Sequence, residues 1–262
     1  NRITIAIIHY QKINKVKRLE NSHSKKNISR STTRLMFSYG LGDAGTGLVA
    51  TQFGFFLFKF FISAGLPVII AGSLLMLIKI WDAVNDPLIG WLSDRTKSRW
   101  GPRIPWMVAA SVPLGFSLAA IWWTPTGSVL TKTIYYAIIS IIVMTAYTSI
   151  NLPFAALSTE ISEKTAIRTR LNASRFTGSI IAGLTGLIIA GVVLGSEGSA
   201  NNEYFLMGKI SGCIAVAATL ISCWGLAPFA KKARRPSGKV EAITLQFKRI
   251  FKNKKFLKVI TL

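Results

Sequence analysis

Acid, histidine and cysteine are all scarce in this chain. It has 10 Asp and Glu, 2 His and 2 Cys among 262 residues. Both histidines, His9 and His23, stand in the first 34 residues, so no imidazole is available further along for acid–base or metal chemistry. Cys213 and Cys223 fall in one apolar stretch with no His or Cys cluster beside them, which supports neither a metal site nor a disulfide framework. With no histidine and no nucleophile–base constellation, an intramembrane enzyme is the least supported class. Charge of any kind is also thin: 16% of residues are charged, against ~25% in a soluble globular domain.

What is present is apolar surface and basic charge. Half the residues are hydrophobic, the mean hydropathy is +0.43, and 32 Lys and Arg give a net charge of +22. That excess suits a partner such as nucleic acid or an anionic membrane, and its distribution chooses between them. Apolar stretches at about 35–62, 68–93, 104–124, 133–157, 174–195 and 204–229 each reach the ~20 residues a helix needs to cross a bilayer. Nine basic residues precede residue 35, four lie between spans two and three, four run from Lys164 to Arg175, and eleven follow span six. Lys132 and Lys209 stand on the opposite side, with Lys59 and Lys79 inside spans. This is the positive-inside pattern. It predicts a multi-pass plasma (inner) membrane protein with its N-terminus and the linker after span six cytoplasmic. Topology accounts for the charge, so no nucleic-acid partner is expected.

The chain divides accordingly. Residues 1–34 form a basic cytoplasmic arm whose "ITIAII" is too short for a signal-peptide core. Residues 35–229 form the six-helix bundle, 230–255 a basic cytoplasmic linker, and 256–262 ("FLKVITL") the truncated start of a seventh span. The expected fold is an all-α membrane protein, one half of a twelve-helix transporter. Gly40, Gly42 and Gly45 spell a dinucleotide-like G-x-G-x-x-G, but that motif needs a preceding strand. Inside a span, small residues let helices approach closely.

Asp82 and Asp86 stand four residues apart in span two, so they share a helix face with Asn85 beside them. Two carboxylates in low dielectric repel unless one is protonated or a cation lies between them, and oxygen donors are the natural ligands of a hard cation. At ~1.5 Å per residue, Asp82 lies ~21 Å from the outer end of its span, Asp86 ~27 Å and Thr148 of span four ~22 Å. Thr148 is therefore at the depth to complete a cation site with Asp82, Asn85 and Asp86. Lys79, three residues before Asp82, is placed to pair with it, but one lysine cannot neutralise two acids. Asp43, near the inner end of span one, reads as facing cytoplasmic water. At the end of span two, Asp94 is expected to exchange hydrogen bonds with Arg95, Arg99 or a neighbouring bundle as a gate.

"SYGLGD", "KIWDAVNDPLIGWLSDRTKSRWGPRIPW", "YTSINLPFAAL" and "RTRLNASRF" together resemble the glycoside–pentoside–hexuronide:cation symporters of the major facilitator superfamily. The resemblance implies twelve spans in two bundles and uptake of a sugar driven by Na+, Li+ or H+. It maps the family's cation site onto Asp82, Asn85, Asp86 and Thr148, and the family's span-two arginine onto Lys79. It places a lysine and an acid of span one at Thr46 and Gly47, an acid and a tryptophan of span four at Asn151 and Ala155, and an arginine at Arg175. Only the arginine matches, so Arg175 and Asn151 are the expected substrate contacts and the ligand is expected to differ. Lysophospholipid symporters share the cation motif, which makes a lysolipid the alternative substrate. A non-transporting scaffold or truncated gene product is the reading from another class. No cofactor is expected beyond the coupling cation. The expected partners are a small-molecule substrate, the lipid bilayer and a missing C-terminal six-helix half.

Overall fold

The computed structural model describes residues 32–195 and 200–231. His9, His23, the arm before residue 32 and the segments after residue 231 lie outside the described residues. Six long apolar helices account for nearly all of what is described: α1 (Thr32–Ser63), α2 (Val68–Arg95), α3 (Ile104–Ile121), α4 (Val129–Ile161), α5 (Thr165–Leu194) and α6 (Ala200–Ala230). Helix is the form that satisfies every backbone N–H and C=O within the segment where no water is available. This is a multi-pass membrane architecture, the six-span arrangement read from hydropathy.

Several boundaries differ from that reading, most of all around α4 and α5. Helix α4 is longer at both ends, and α5 begins at Thr165 rather than 174, so the basic stretch "RTRLNASRF" is helical. Arg168 explains the tight junction. Its Nε donates to the Ser162 carbonyl at 2.6 Å and its Nη2 to that of Thr159 at 3.3 Å, covering orphan carbonyls at the end of α4.

Helix α3 packs mainly on α6 and α4, α1 on α5 and α6, and α2 on α4. Without a hydrophobic drive between helices in lipid, close packing must hold them. A Cβ added at Gly212 would stand 2.6 Å from the Gly115 carbonyl oxygen, and one at Gly45 would stand 3.0 Å from that of Ala215. Gly40 and Gly42 likewise face Ser174 and Phe154, so the three glycines of the G-x-G-x-x-G string serve helix contact. At the end of the core away from the basic loops, Phe60, Phe61, Trp122, Tyr136 and Tyr204 form one aromatic cluster, with Trp122 and Tyr204 stacked at 5.7 Å. Lys132 ties α4 to the end of α1 by donating to the Ala64 carbonyl at 2.6 Å. Large apolar side chains remain exposed along α2 (Ile69, Met76, Ile80, Val84) and α5 (Phe176, Ile180, Leu184, Ile188), surface that lipid or protein covers.

Candidate functional site

Helix α4 presents one face to α2. Trp81 Nε1 donates to Thr145 Oγ1 at 3.0 Å, Asn85 Nδ2 to the Met144 carbonyl at 3.4 Å, and Thr148 Oγ1 to Asp82 Oδ1 at 3.4 Å. Asn85 is buried, Asp82 half-buried and Asp86 exposed. Asp86 has Asp82 and Thr148 as its polar neighbours. Pro87, directly after Asp86, has no N–H and frees the carbonyl of Ala83. The four residues thus converge from two helices as a cluster of carboxylate, amide and hydroxyl oxygens.

Lys79 does not pair with either acid: the described residues contain three ion pairs, and none includes it. The short sequence spacing made the pair look easy, but an i, i+3 separation leaves the ammonium free to turn along a cleft. Lys79 and Asp82 both line that cleft, a cavity of about 320 Å³ between α1, α2 and α4 that Tyr147 also borders.

Tyr147 leads to a second cluster. Its hydroxyl accepts from Asn151 Nδ2 at 3.3 Å, and Asn151 Oδ1 accepts from Arg175 Nη2 at 2.7 Å. Arg175 Nε lies 3.1 Å from Asp43 Oδ2, and Thr46 Oγ1 donates to Asp43 Oδ1 at 2.9 Å. The Nε–H makes no hydrogen bond of its own, so its contact with Asp43 is electrostatic rather than directional. The guanidinium also sits 5.5 Å from the Phe154 ring centre, while Tyr39 stacks on the same ring at 4.5 Å and donates to the Phe154 carbonyl.

Asp43 therefore does not face cytoplasmic water. It is 6% exposed and stands where α1 is interrupted, with backbone angles φ −95° and ψ −2°. The sequence placed it near an interface by depth alone; its partner lies 132 positions away and no periodicity reveals it.

The expected gate is also rearranged. Asp94 pairs with Arg103 at 2.5 Å, while Arg95 stacks on Trp91 at 3.9 Å and Arg99 on Trp100 at 5.1 Å. Arg95 and Arg99 are drawn to adjacent aromatic faces because these lie within reach on their own segment. Arg103 begins α3 and is buried, with Glu160 Oε1 at 2.8 Å and Ser93 Oγ at 2.7 Å. Sequence reasoning passed over Arg103 and Glu160. A signal existed: Glu160 is an acid three residues beyond span four, level with the basic loop. Gly101 secures the turn before Arg103, with φ +85° and space for a Cβ closed by the Ala230 carbonyl oxygen at 3.0 Å.

Comparison with known proteins bears on what these clusters serve. Residues 38–262 match the family described as MFS/sugar transport protein. An uncharacterized symporter of Synechocystis sp. is 37% identical over 78% of this chain and 38% of its own length. A putative glycoside/cation symporter of Escherichia coli is 32% identical over 64% of the chain and 36% of itself. The sodium-dependent lysophosphatidylcholine symporter 1 of Xenopus tropicalis is 28% identical over 61% of the chain and 31% of itself. The chain spans well under half the length of each of these relatives.

Proposed function

We propose, from the premise that this chain belongs to the MFS/sugar transport protein family, that it forms the N-terminal bundle of a cation-coupled symporter for a glycoside or related sugar. The observation that carries the proposal is the Thr148–Asp82 contact, which draws hydroxyl, amide and paired carboxylates from α4 and α2 into one cluster. A small ion held there exchanges its hydration shell for oxygen donors, and its charge allows both acids to stay ionised. Asp82 and Asp86 are the principal ligands, with Asn85 and Thr148 supporting. The coupling ion is Na+ held in this way, or H+ taken up on one carboxylate, which relieves the same repulsion.

Arg175 and Asn151 are the proposed substrate contacts. Guanidinium N–H and amide groups suit the paired donors and acceptors of sugar hydroxyls. Tyr147 touches both clusters, bordering the cleft of Asp82 and bonding Asn151. Asp94, Arg103 and Glu160 form a clasp among α2, α3 and α4 that fixes the inner face on which the gate closes, with Lys79 supplying charge balance at a distance. We further propose that the basic ends face the cytoplasm and that a second six-helix half completes the transport path. A lysolipid is the second reading, favoured by the lysophosphatidylcholine symporter among the relatives.

Uptake assays test this. Membrane vesicles carrying the gene's full product are offered labelled neutral glycosides, glucuronides and lysophosphatidylcholine, with and without a Na+ or H+ gradient. Gradient-driven glycoside uptake is expected. Gradient-driven lysolipid uptake without glycoside uptake would move the protein to the second reading, and gradient-independent behaviour towards all three would overturn both.

A further inference from the structure

A groove of about 460 Å³ runs between α1, α5 and α6, and none of its lining residues belongs to α2 or α4, which carry the proposed cation ligands. It extends from Phe37 to Leu48 on α1 and from Ser174 to Thr185 on α5. Eleven residues of helix rise about 16 Å, close to half of the ~30 Å hydrocarbon core. The groove is therefore one leaflet long. Its hydroxyls are already committed: Ser174 donates to the Met36 carbonyl, Thr177 to that of Ala173 and Thr185 to that of Ile181. What remains is a hydrocarbon wall. A groove one leaflet long and walled by hydrocarbon suits an acyl chain lying along it.

One end of the groove is basic. Helices α1 and α5 run parallel in register, with Ser174 against Met36 and Gly178 against Gly40. Arg34 is one turn before Phe37 and Arg170 one turn before Ser174, so both stand at the same mouth, and both are exposed. The three ion pairs among the described residues use Arg103 and Arg175, which leaves neither mouth arginine with a carboxylate partner. Arg34 lies over the ring of Trp224 at 5.4 Å, and Trp224 is 75% exposed. Tryptophan at headgroup level and arginine beside it are the residues that meet a lipid's polar boundary. Guanidinium groups pair phosphate oxygens in a fixed fork.

We infer that this groove holds one acyl chain of an anionic phospholipid from the leaflet at the chain's basic end, with its phosphate between Arg34 and Arg170 and its headgroup against Trp224. The site is separate from the transport path proposed above. An anionic headgroup is favoured over a zwitterionic one because, among the described residues, no acid pairs with either guanidinium.

The test is native mass spectrometry of the chain in detergent, with dioleoyl phosphatidylglycerol and dioleoyl phosphatidylcholine added in equal amounts. Wild type is expected to retain the phosphatidylglycerol at least fivefold over the phosphatidylcholine. Other basic residues also attract anionic lipid, so the Arg34→Gln/Arg170→Gln double variant carries the decision: its ratio should fall to less than half the wild-type value, whereas Lys97→Gln should keep it. Thr185→Trp, which plugs the groove, should lower retention of both lipids at least threefold, with thermal unfolding confirming that each variant is folded. Equal retention of the two lipids by wild type, or half or more of the wild-type ratio surviving in the double variant, would overturn the inference. So would exclusion of lipid by a dimer of this chain or by an added six-helix partner, which would give the groove to protein.

Discussion

Asn151 and Tyr147, one turn apart on α4, are hydrogen-bonded side chain to side chain at 3.3 Å, yet they face different neighbours. Asn151 holds Arg175, while Tyr147 borders the cleft of Asp82 and Lys79. A hydroxyl so placed can carry a displacement at one cluster to the other. Tyr147→Phe removes it and leaves the ring. A neutral hydrogen bond contributes about 1 kcal/mol net, so cation stimulation of substrate binding should weaken about fivefold while substrate affinity without cation changes little. Binding titrations with and without Na+ check this; unchanged stimulation would remove Tyr147 from the coupling route.

The Arg103 clasp makes a stability prediction. Arg103 is buried between Asp94, Glu160 and Ser93. Arg103→Ala leaves the half-buried Glu160 without its counter-charge, a loss of about 3 kcal/mol for a broken buried pair. Replacing both Arg103 and Glu160 by Met should recover most of that, because two well-packed apolar groups need no pairing. Thermal unfolding in detergent distinguishes the cases: the single variant should melt well below the double.

Helix contact can be tested the same way. A Cβ at Gly178 would run into the backbone of Gly40, whereas one at Gly191 would meet nothing within 4 Å. Gly178→Ala is expected to push α1 from α5 at a cost of about 1–3 kcal/mol for overpacking. Gly191→Ala should be neutral or slightly stabilising, since alanine is the better helix former. Equal melting of the two variants would mean that the α1–α5 contact is looser than the structure has it.

Orientation has its own measurement. Cysteine at exposed Thr126, in a background lacking Cys213 and Cys223, should react in intact cells with a membrane-impermeant thiol reagent. Cysteine at Lys97 should react only after the membrane is opened. Thr126 is preferable to Ser128, whose hydroxyl caps α4 by accepting from the Thr131 N–H. Reversed labelling would contradict the charge-based topology.

The spans were legible because apolar runs of membrane length are nearly unambiguous, and the glycines of α1 because a strand-dependent motif makes no sense inside a span. The meeting of Thr148 with Asp82 could be anticipated from depth, since two helices crossing the same bilayer share one ruler. What depth does not give is rotation about each helix axis. That hid the burial of Asp43 against Arg175, the absence of an ion pair between Lys79 and Asp82, and the choice of Arg103 over Arg95 and Arg99 as the partner of Asp94. Each depends on which faces of distant helices pack together, and a single sequence carries no periodic mark of that.

The central claim is that Asp82 and Asp86 are kept in the membrane to bind the coupling cation. Asp86→Asn preserves shape and removes one charged ligand, so substrate binding should persist while its dependence on cation vanishes. The decisive measurement is equilibrium substrate binding to the reconstituted gene product across a Na+ titration and a pH series, wild type against Asp86→Asn. Stimulation by Na+ or H+ in wild type and a flat response in the variant is the predicted result. Wild-type stimulation retained in Asp86→Asn would contradict the account and make the acids structural.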